Sequence, residues 1–515
     1  MSKANAVNRM DQWQRLKPQA IVHFIIKIVM RAIKEAMQGF LPLIVVYAAA
    51  GERRWSIIAM IGIGLVALLL IGAFLSYLKF RFRISKDSVL IQSGVLKRKR
   101  LSLGFDKIQN IELSEPLYFR PFGLVVMQIE SAGSSSEEVT LGGVPRTYAE
   151  EIRSLVLQHK VPQNDHLSIE SNESETNQSD ASNQQQHLLH LPIGELIRFG
   201  LTNNSIWIFA GIGAGAMSQF EWGGVYYFKS VGELFETIAG NSPVPILLLT
   251  LFGLIIAVVS LLLLVSAIGA IIIHYDFKLS QLGTRLHISK GLFEKKESSL
   301  LIPKLQSIQF KQSWPAKILK RYHVHLTQIS FSKSGAAARK SGSNFMIPSA
   351  KADFITEFSA RLYPNFDWWS LKLNAISRLF VWKNLLWFVL PIALIPTTFI
   401  TYHLGLPYGL IPLMAPLIAY VILRRVHLMY GYATDGKHGI VKSGFLGHSL
   451  KLFPFYKVQT VHVTQSPGQR RAMVANLNIK LAGSTITIPF MAIEDANQWR
   501  DKILFEVETN KLSWM

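Results

Sequence analysis

The sequence predicts an α+β membrane protein with three transmembrane helical hairpins (six spans), each followed by a small antiparallel β domain closed by a C-terminal helix. Three observations predict it. One constellation of seven positions recurs three times at fixed offsets. Long uncharged apolar runs precede each copy. After each run the hydrophobic pattern changes from continuous to alternating, the change expected where a membrane helix gives way to a half-buried strand.

The repeat is anchored on a glycine and a glutamine fifteen residues apart: Gly94 and Gln109, Gly291 and Gln306, Gly444 and Gln459. Fourteen residues before each glycine stands an aromatic (Phe80, Phe277, Tyr430), and three before it a branched aliphatic (Ile91, Ile288, Val441). Two and four residues after each glutamine come Ile111 and Leu113, Ile308 and Phe310, Val461 and Val463. Eleven after it comes a cation: Arg120, Lys317, Arg470. Such periodicity means one structural unit used three times. The spacing between copies is uneven, 197 residues from Phe80 to Phe277 and 153 from Phe277 to Tyr430. A polar, Ser/Asn/Gln-rich stretch at Asn164 to Gln186 and a long turn at Gln219 to Pro243 account for the excess.

The predicted spans, in order, are Ala36–Ala50 with Trp55–Tyr77, Ser205–Phe220 with Val244–Ile273, and Leu385–Leu404 with Leu406–Leu423. Gly62 and Gly64, and Gly211, Gly213 and Gly215, lie inside spans and suit close helix packing. The polar first twenty residues argue against a cleaved signal peptide. Of the 54 Lys and Arg, all but Arg53, Arg54 and Lys229 lie outside the hairpin turns. The positive-inside rule then puts both termini and all three β domains in the cytoplasm of a bacterial inner (cytoplasmic) membrane, in a multi-pass arrangement. Lys27, Arg31 and Lys34 share a helical face beside Phe24 and Ile28, which predicts an amphipathic helix on the inner leaflet. Leu191–Leu201 and Trp368–Val381 stand in the corresponding places of the other units.

Each β domain follows the same plan. Phe80 to Ile84 alternates as a strand, Ser88 to Ile91 enters the turn at Gly94, Val95 to Leu103 returns, and Gln109–Leu113 and Leu124–Ile129 continue the sheet. A hydrophobic–proline step closes the strands (Val144-Pro145, Ile347-Pro348, Ile488-Pro489) and a helix follows: Ala149–Leu157, Ala350–Leu362, Ala492–Val507.

This organisation resembles the bacterial pleckstrin-homology (PH-like) domains of the YdbT-like membrane protein family. The match is carried by Gly94, Asp106-Lys107-Ile108-Gln109, Arg120-Pro121-Phe122-Gly123-Leu124 and Ser131-Ala132-Gly133 in the first unit, and by Lys457-Val458-Gln459, Arg470 and Leu481-Ala482-Gly483 in the third. The second departs, with Lys317 for the arginine and Ser330 for the last glycine. The expected layout is an N-terminal helix and hairpin over 1–77, PH-like domain 1 over 78–160, a disordered polar linker over 161–190, hairpin 2 over 191–273, domain 2 over 274–363, hairpin 3 over 364–426 and domain 3 over 427–515.

For function, composition excludes more than it selects. Without cysteine there are no disulfides, thiolate metal sites or cysteine nucleophiles. No hydrolase, metalloprotease or nucleotide-binding motif appears, so no catalytic residues, cofactor or metal are expected. His323 and His325 share a strand face but lack a further ligand. The net charge of +21 suits an anionic surface, and membrane topology accounts for it better than nucleic acid does. The sharpest binding candidate is Lys97-Arg98-Lys99-Arg100, a basic hairpin twenty residues beyond Tyr77; lipid-binding PH domains often use cations there. A solvated hairpin serving topology is the alternative. Gln109, Gln306 and Gln459 are expected to turn toward the core as structural amides, and Arg120, Lys317 and Arg470 to form structural ion pairs. The expected function is non-enzymatic: cytoplasmic modules binding anionic membrane lipid, a protein partner in the same membrane or a further copy of the chain. The resemblance implies a role in envelope maintenance or resistance to membrane-active agents. Transport or lipid handling through the six spans is the competing class.

Overall fold

The computed structural model describes residues 12–30, 32, 54–85, 87–95, 98–105, 108–131, 139–158, 186–203, 244–328, 345–364, 366–405 and 410–510. The expected helix at Ala36–Ala50, the span at Ser205–Phe220, the turn at Gln219–Pro243 and the bulk of the polar stretch at 159–185 lie outside these residues.

The first β domain contains β1 (Arg81–Ile84), β2 (Ser88–Ser93), β3 (Lys99–Gly104), β4 (Ile108–Pro116), β5 (Leu124–Ser131) and β6 (Val139–Pro145). The second contains β7 (Gln186–His190), β8 (Lys278–Leu282), β9 (Arg285–Lys290), β10 (Glu294–Leu301), β11 (Leu305–Gln312), β12 (Tyr322–Gln328) and β13 (Phe345–Ala350). The third contains β14 (Asn374–Ala375), β15 (Gly431–Thr434), β16 (His438–Gly444), β17 (His448–Pro454), β18 (Val458–Thr464), β19 (Val474–Leu481) and β20 (Ser484–Ala492). Cap helices Arg146–Gln158, Ala352–Leu362 and Ile493–Thr509 follow the last strand of each, within a few residues of expectation. Their apolar faces close the cores: Ile152 and Val156, Ile355 and Phe358, Trp499 and Ile503 are all buried.

Two features of the module differ from expectation. A short segment ahead of each hairpin pairs with the first strand after it. Gln14 bridges Phe82, Leu189 faces Leu279, and Asn374 faces Tyr432, in each case two residues beyond the aromatic that starts the repeat. The stretch expected to form the hairpin is therefore inserted within the β domain, and boundaries at 78, 274 and 427 cut off the leading strand. Residues 186–190 are consequently β7 and not part of a linker. The second difference concerns Leu16, Ala20 and Phe24, which pack into the first core, so the N-terminal helix is seated on the β domain. Likewise Glu195, in the helix Ile193–Thr202, is held by the Arg321 guanidinium at 2.8 Å.

Among the described residues two helices are long and apolar enough to cross a membrane, Leu248–His274 and Leu379–His403. The first belongs to the uninterrupted helix Val244–His274, whose membrane-length window buries nothing against protein. A surface of that kind is stable against lipid rather than water. The second contains a π turn at Leu385–Val389. Pro391 follows at once; its ring removes one hydrogen-bond donor and crowds the preceding turn, which the wider π turn accommodates. The expected span at Trp55–Tyr77 is the helix Arg54–Lys79. In the last expected span the 3-10 turn Ile411–Leu413 runs into the helix Met414–Met429. Two of the six expected spans, Val244–Ile273 and Leu385–Leu404, thus meet the criterion among the described residues.

The modules are not beads on a string. The strands form a seven-stranded sheet in the order β6-β5-β4-β10-β9-β8-β7 and another in the order β13-β12-β11-β17-β16-β15-β14, flanked by three-stranded sheets β1-β2-β3 and β18-β19-β20. The second half of one module thus continues into the first half of the next.

Candidate binding cavity and inter-module seams

The two seams use one register. At the first, Lys295 faces Glu115, Lys296 faces Ser114 and Glu297 faces Leu113. At the second, His448 faces Gln312, Ser449 faces Lys311 and Leu450 faces Phe310. Counted from the repeat glycine and glutamine, the paired positions are identical. At the central position each seam sets one lysine against one serine, with the roles exchanged.

Repeat-defining residues shape these seams. Gly94 and Gly291 have φ values of 106° and 115°, a left-handed conformation that disfavours a side chain. Gly444 answers to space instead, since a Cβ there would lie 2.1 Å from the Gly447 carbonyl oxygen. Gly447 itself sits on the strand end of the preceding module, 2.1 Å from the Gln312 carbonyl oxygen by the same construction. Arg120 donates to the Leu292 carbonyl of the next module at 2.6 Å. Its counterpart Lys317 lies close enough to His448 to help depress that imidazole, behind the larger effects of burial and of Lys442. Arg470 stands beside β18, whose outer edge pairs with no strand among the described residues. The expected ion pairing of this position is replaced by a cross-seam contact in the first unit. Arg146 adds an ion-pair cluster, reaching Glu297 at 2.8 Å, Glu150 at 2.9 Å and Glu115 at 3.3 Å. At the second seam Lys457, fully buried, donates to the carbonyls of Pro303 and Leu305.

Of the two glutamine side chains described, Gln306 is buried as expected and Gln459 is not. In every module the strand register breaks at the glutamine, between Ile108 and Asn110, Leu305 and Ser307, and Val458 and Thr460. A bulge residue does not follow the two-residue alternation that would turn it to the core. The side chain of Gln109 lies outside the described residues.

The seams also explain a cavity of about 1480 Å³. A continuous sheet here buries opposite faces on its two sides: Ile111 and Leu113 enter the first core, while Leu286, Ile288 and Leu300 enter the second. Following β10 away from that second core, the same face runs Leu300, Ser298, Lys296, and across the seam it continues as Glu112 and Gln128. At the second seam Gln309, Lys311, His325 and Lys451 lie on the face turned away from the second core. Both polar faces line the one cavity, with Lys480 to Thr485 of the third module as a further wall and Ile272 to His274, the end of the apolar helix, at its rim.

The cavity is cationic. Lys290, Lys296, Lys311, Lys451 and Lys480 line it, against Glu112 and Glu294. Burial pushes the Lys290 amine down to about 8, with Glu112 opposing and Lys296 adding to the fall. Burial, then the Lys311 charge, pushes Lys451 down to about 8. Lys311 is itself lowered by burial, and His325 is pushed down to about 4 by burial, then by Lys311 and His323. Lys290 and Lys451 are half-buried, whereas Lys311 and Lys480 are exposed; the charges repel one another, and a bound anion would relieve that repulsion and the desolvation of the half-buried pair.

The basic run singled out by sequence lies elsewhere. Arg98, Lys99 and Arg100 are exposed at the start of β3, and Lys97 is outside the described residues. Sequence reasoning missed the cavity lysines because they come from separate strands and seams. A usable signal was present: Glu112 with Gln128, Gln309 with His325 and His462 with Asn478 occupy equivalent positions and pair across strands. The two histidines of β12 part company. His323 bonds the Pro348 carbonyl and Thr202 Oγ1, while His325 lines the cavity. No cluster of three metal-ligating side chains occurs among the described residues.

Residues 35–160, 243–361 and 386–506 each match the family model described as bacterial PH domain. The chain is also similar to the UPF0699 transmembrane protein YdbT of Bacillus subtilis (strain 168), 24% identical over 306 residues, covering 59% of this chain and 60% of that protein. The chain therefore matches less than two thirds of that relative's length. No solved structure matches.

Proposed function

Taking as premise that the chain belongs to the bacterial PH domain family, we propose that it is a non-enzymatic, multi-pass protein of the bacterial inner membrane whose cytoplasmic modules hold the headgroup of an anionic lipid in the inter-module cavity. The observation that carries this reading is the convergence of five lysines on one cavity beside the end of an apolar helix. A phosphate diester offers the charge and acceptor oxygens that Lys290, Lys311 and Lys451 lack, and the apolar rim at Ile272 and Ile273 suits the start of an acyl chain. A role in envelope maintenance fits such a protein, as does recruitment of a protein partner at the exposed Arg98 to Arg100.

The test is lipid retention by the full chain in mild detergent, quantified by mass spectrometry. Wild-type protein should retain phosphatidylglycerol over phosphatidylethanolamine by roughly tenfold, a preference worth about 1.4 kcal/mol. Lys290→Gln combined with Lys451→Gln should abolish that preference, whereas Lys99→Ser combined with Arg100→Ser should leave it. Equal retention by wild type and the cavity variant would remove the proposal.

A further inference from the structure

Strand β3 is the counterpart of β10 and β17, and β18 is the counterpart of β4 and β11. Yet β3 and β18 each end a three-stranded sheet, and among the described residues no strand pairs with their outer edges. The chain therefore carries one open edge of each kind that its two seams join. The exposed side of β18 is unguarded. Val458 to Thr464 carries no charged residue and contains three valines and two threonines, and Thr460, His462 and Thr464 are exposed. Natural sheets protect such edges with charge, proline or a covering element.

We infer that β18 of one copy of this chain pairs with β3 of a second copy, in the register of the two internal seams. That register sets Thr464 against Lys99, Val463 against Arg100 and Gln465 against Arg98. The central pair would again be one lysine facing one hydroxyl, as Lys296 faces Ser114 and Lys311 faces Ser449. Charge also complements across the new seam. In the first seam a cation starting the cap helix, Arg146, meets an acid on the facing strand, Glu297. In the proposed seam the signs invert: the last cap helix opens with Glu494 and Asp495, and the facing strand offers Arg100. The association is head-to-tail, so it builds a ring or a linear array rather than a closed two-fold dimer. It gives the basic hairpin a protein surface to meet, independently of any lipid in the cavity.

The absence of cysteine makes the test clean. Two differently tagged full-length copies, one bearing Lys99→Cys and the other Thr464→Cys, are co-expressed in membranes and oxidised. Facing residues of antiparallel strands lie about 4.5–5.5 Å apart at Cα, within disulfide range. The expected result is a mixed covalent dimer at roughly tenfold the yield given by Lys99→Cys with the out-of-register Thr460→Cys, since a slipped pair lies beyond bonding distance. A chain carrying both Ser114→Cys and Lys296→Cys, which should close an internal disulfide, shows that the fold and the oxidant are competent. Mixed dimer at the background level while that control closes overturns the proposal, and so does a yield independent of register. Like-with-like dimers of either variant exceeding the mixed species would also overturn it.

Discussion

Strands β11 and β18 are the same element of the repeat in different company. In β11, Leu305, Gln306, Ser307, Ile308, Phe310 and Gln312 are buried; in β18 only Val458 is. Sequence does not account for the contrast, because both alternate β-branched or aromatic residues with polar ones. The neighbour does: β11 is covered by β17, and among the described residues no strand pairs with the outer edge of β18. Burial in this protein is thus supplied as much between modules as within them.

The comparison is broken hardest at Gly447. Gly447→Val drives a side chain into the Gln312 backbone, where no flexible group can yield. The expected loss is about 3–5 kcal/mol of stability in the third module, a magnitude typical of forced core strain, read as a lowered protease-resistance midpoint for residues 431–509. A smaller loss follows from Lys457→Met, which keeps the volume but deprives two carbonyls of their donor. About 1–3 kcal/mol is expected from the unmade bonds, and separation of the third module before the first two should appear in thermal proteolysis.

The cation eleven residues past the glutamine sharpens the contrast, because one copy lies in a seam and another at the open end. Arg120→Ala removes the bond to Leu292 and should cost about 1 kcal/mol, whereas Arg470→Ala should stay within about 0.5 kcal/mol. Equal effects in parallel unfolding measurements would mean that the position serves each module internally.

A further effect is a pH dependence. Lys290 and Lys451 are depressed in the folded protein to about 8. Between that value and the ordinary lysine range the unfolded chain binds more protons, so stability rises as pH climbs from about 8 toward 10. Anion affinity has the opposite sign: protonated amines bind below about 8 and lose charge above it. Retention of phosphatidylglycerol should therefore weaken from pH 7 to 9, and the Lys290→Gln, Lys451→Gln variant should lose both trends.

Local chemistry was the legible part. The repeat, the cap helices, the turn glycines and the long helices from Arg54 and Val244 all follow from periodicity or backbone requirements within a short window. The leading strand of each module was hidden, because β7 and β14 span five and two residues and meet their partners only beyond a long insertion. The seams were hidden for a similar reason: pairing of Lys296 with Ser114, or Lys311 with Ser449, is a contact between distant copies that no local pattern encodes. Gln459 was read as a core amide because a regular strand was assumed, and the bulge at that position breaks the alternation; Gln306 is buried all the same. The cavity lysines each look like ordinary polar-face residues until two strand faces are brought together.

The most direct test of the seam geometry is a pair of designed disulfides in this cysteine-free chain. Ser114→Cys with Lys296→Cys, and Lys311→Cys with Ser449→Cys, should each close within one molecule, while Ser114→Cys with Glu297→Cys should not. Closure of both in-register pairs is the outcome required by continuous sheets joining the three modules. Failure of either in a folded protein, or equal closure of the slipped pair, would contradict it.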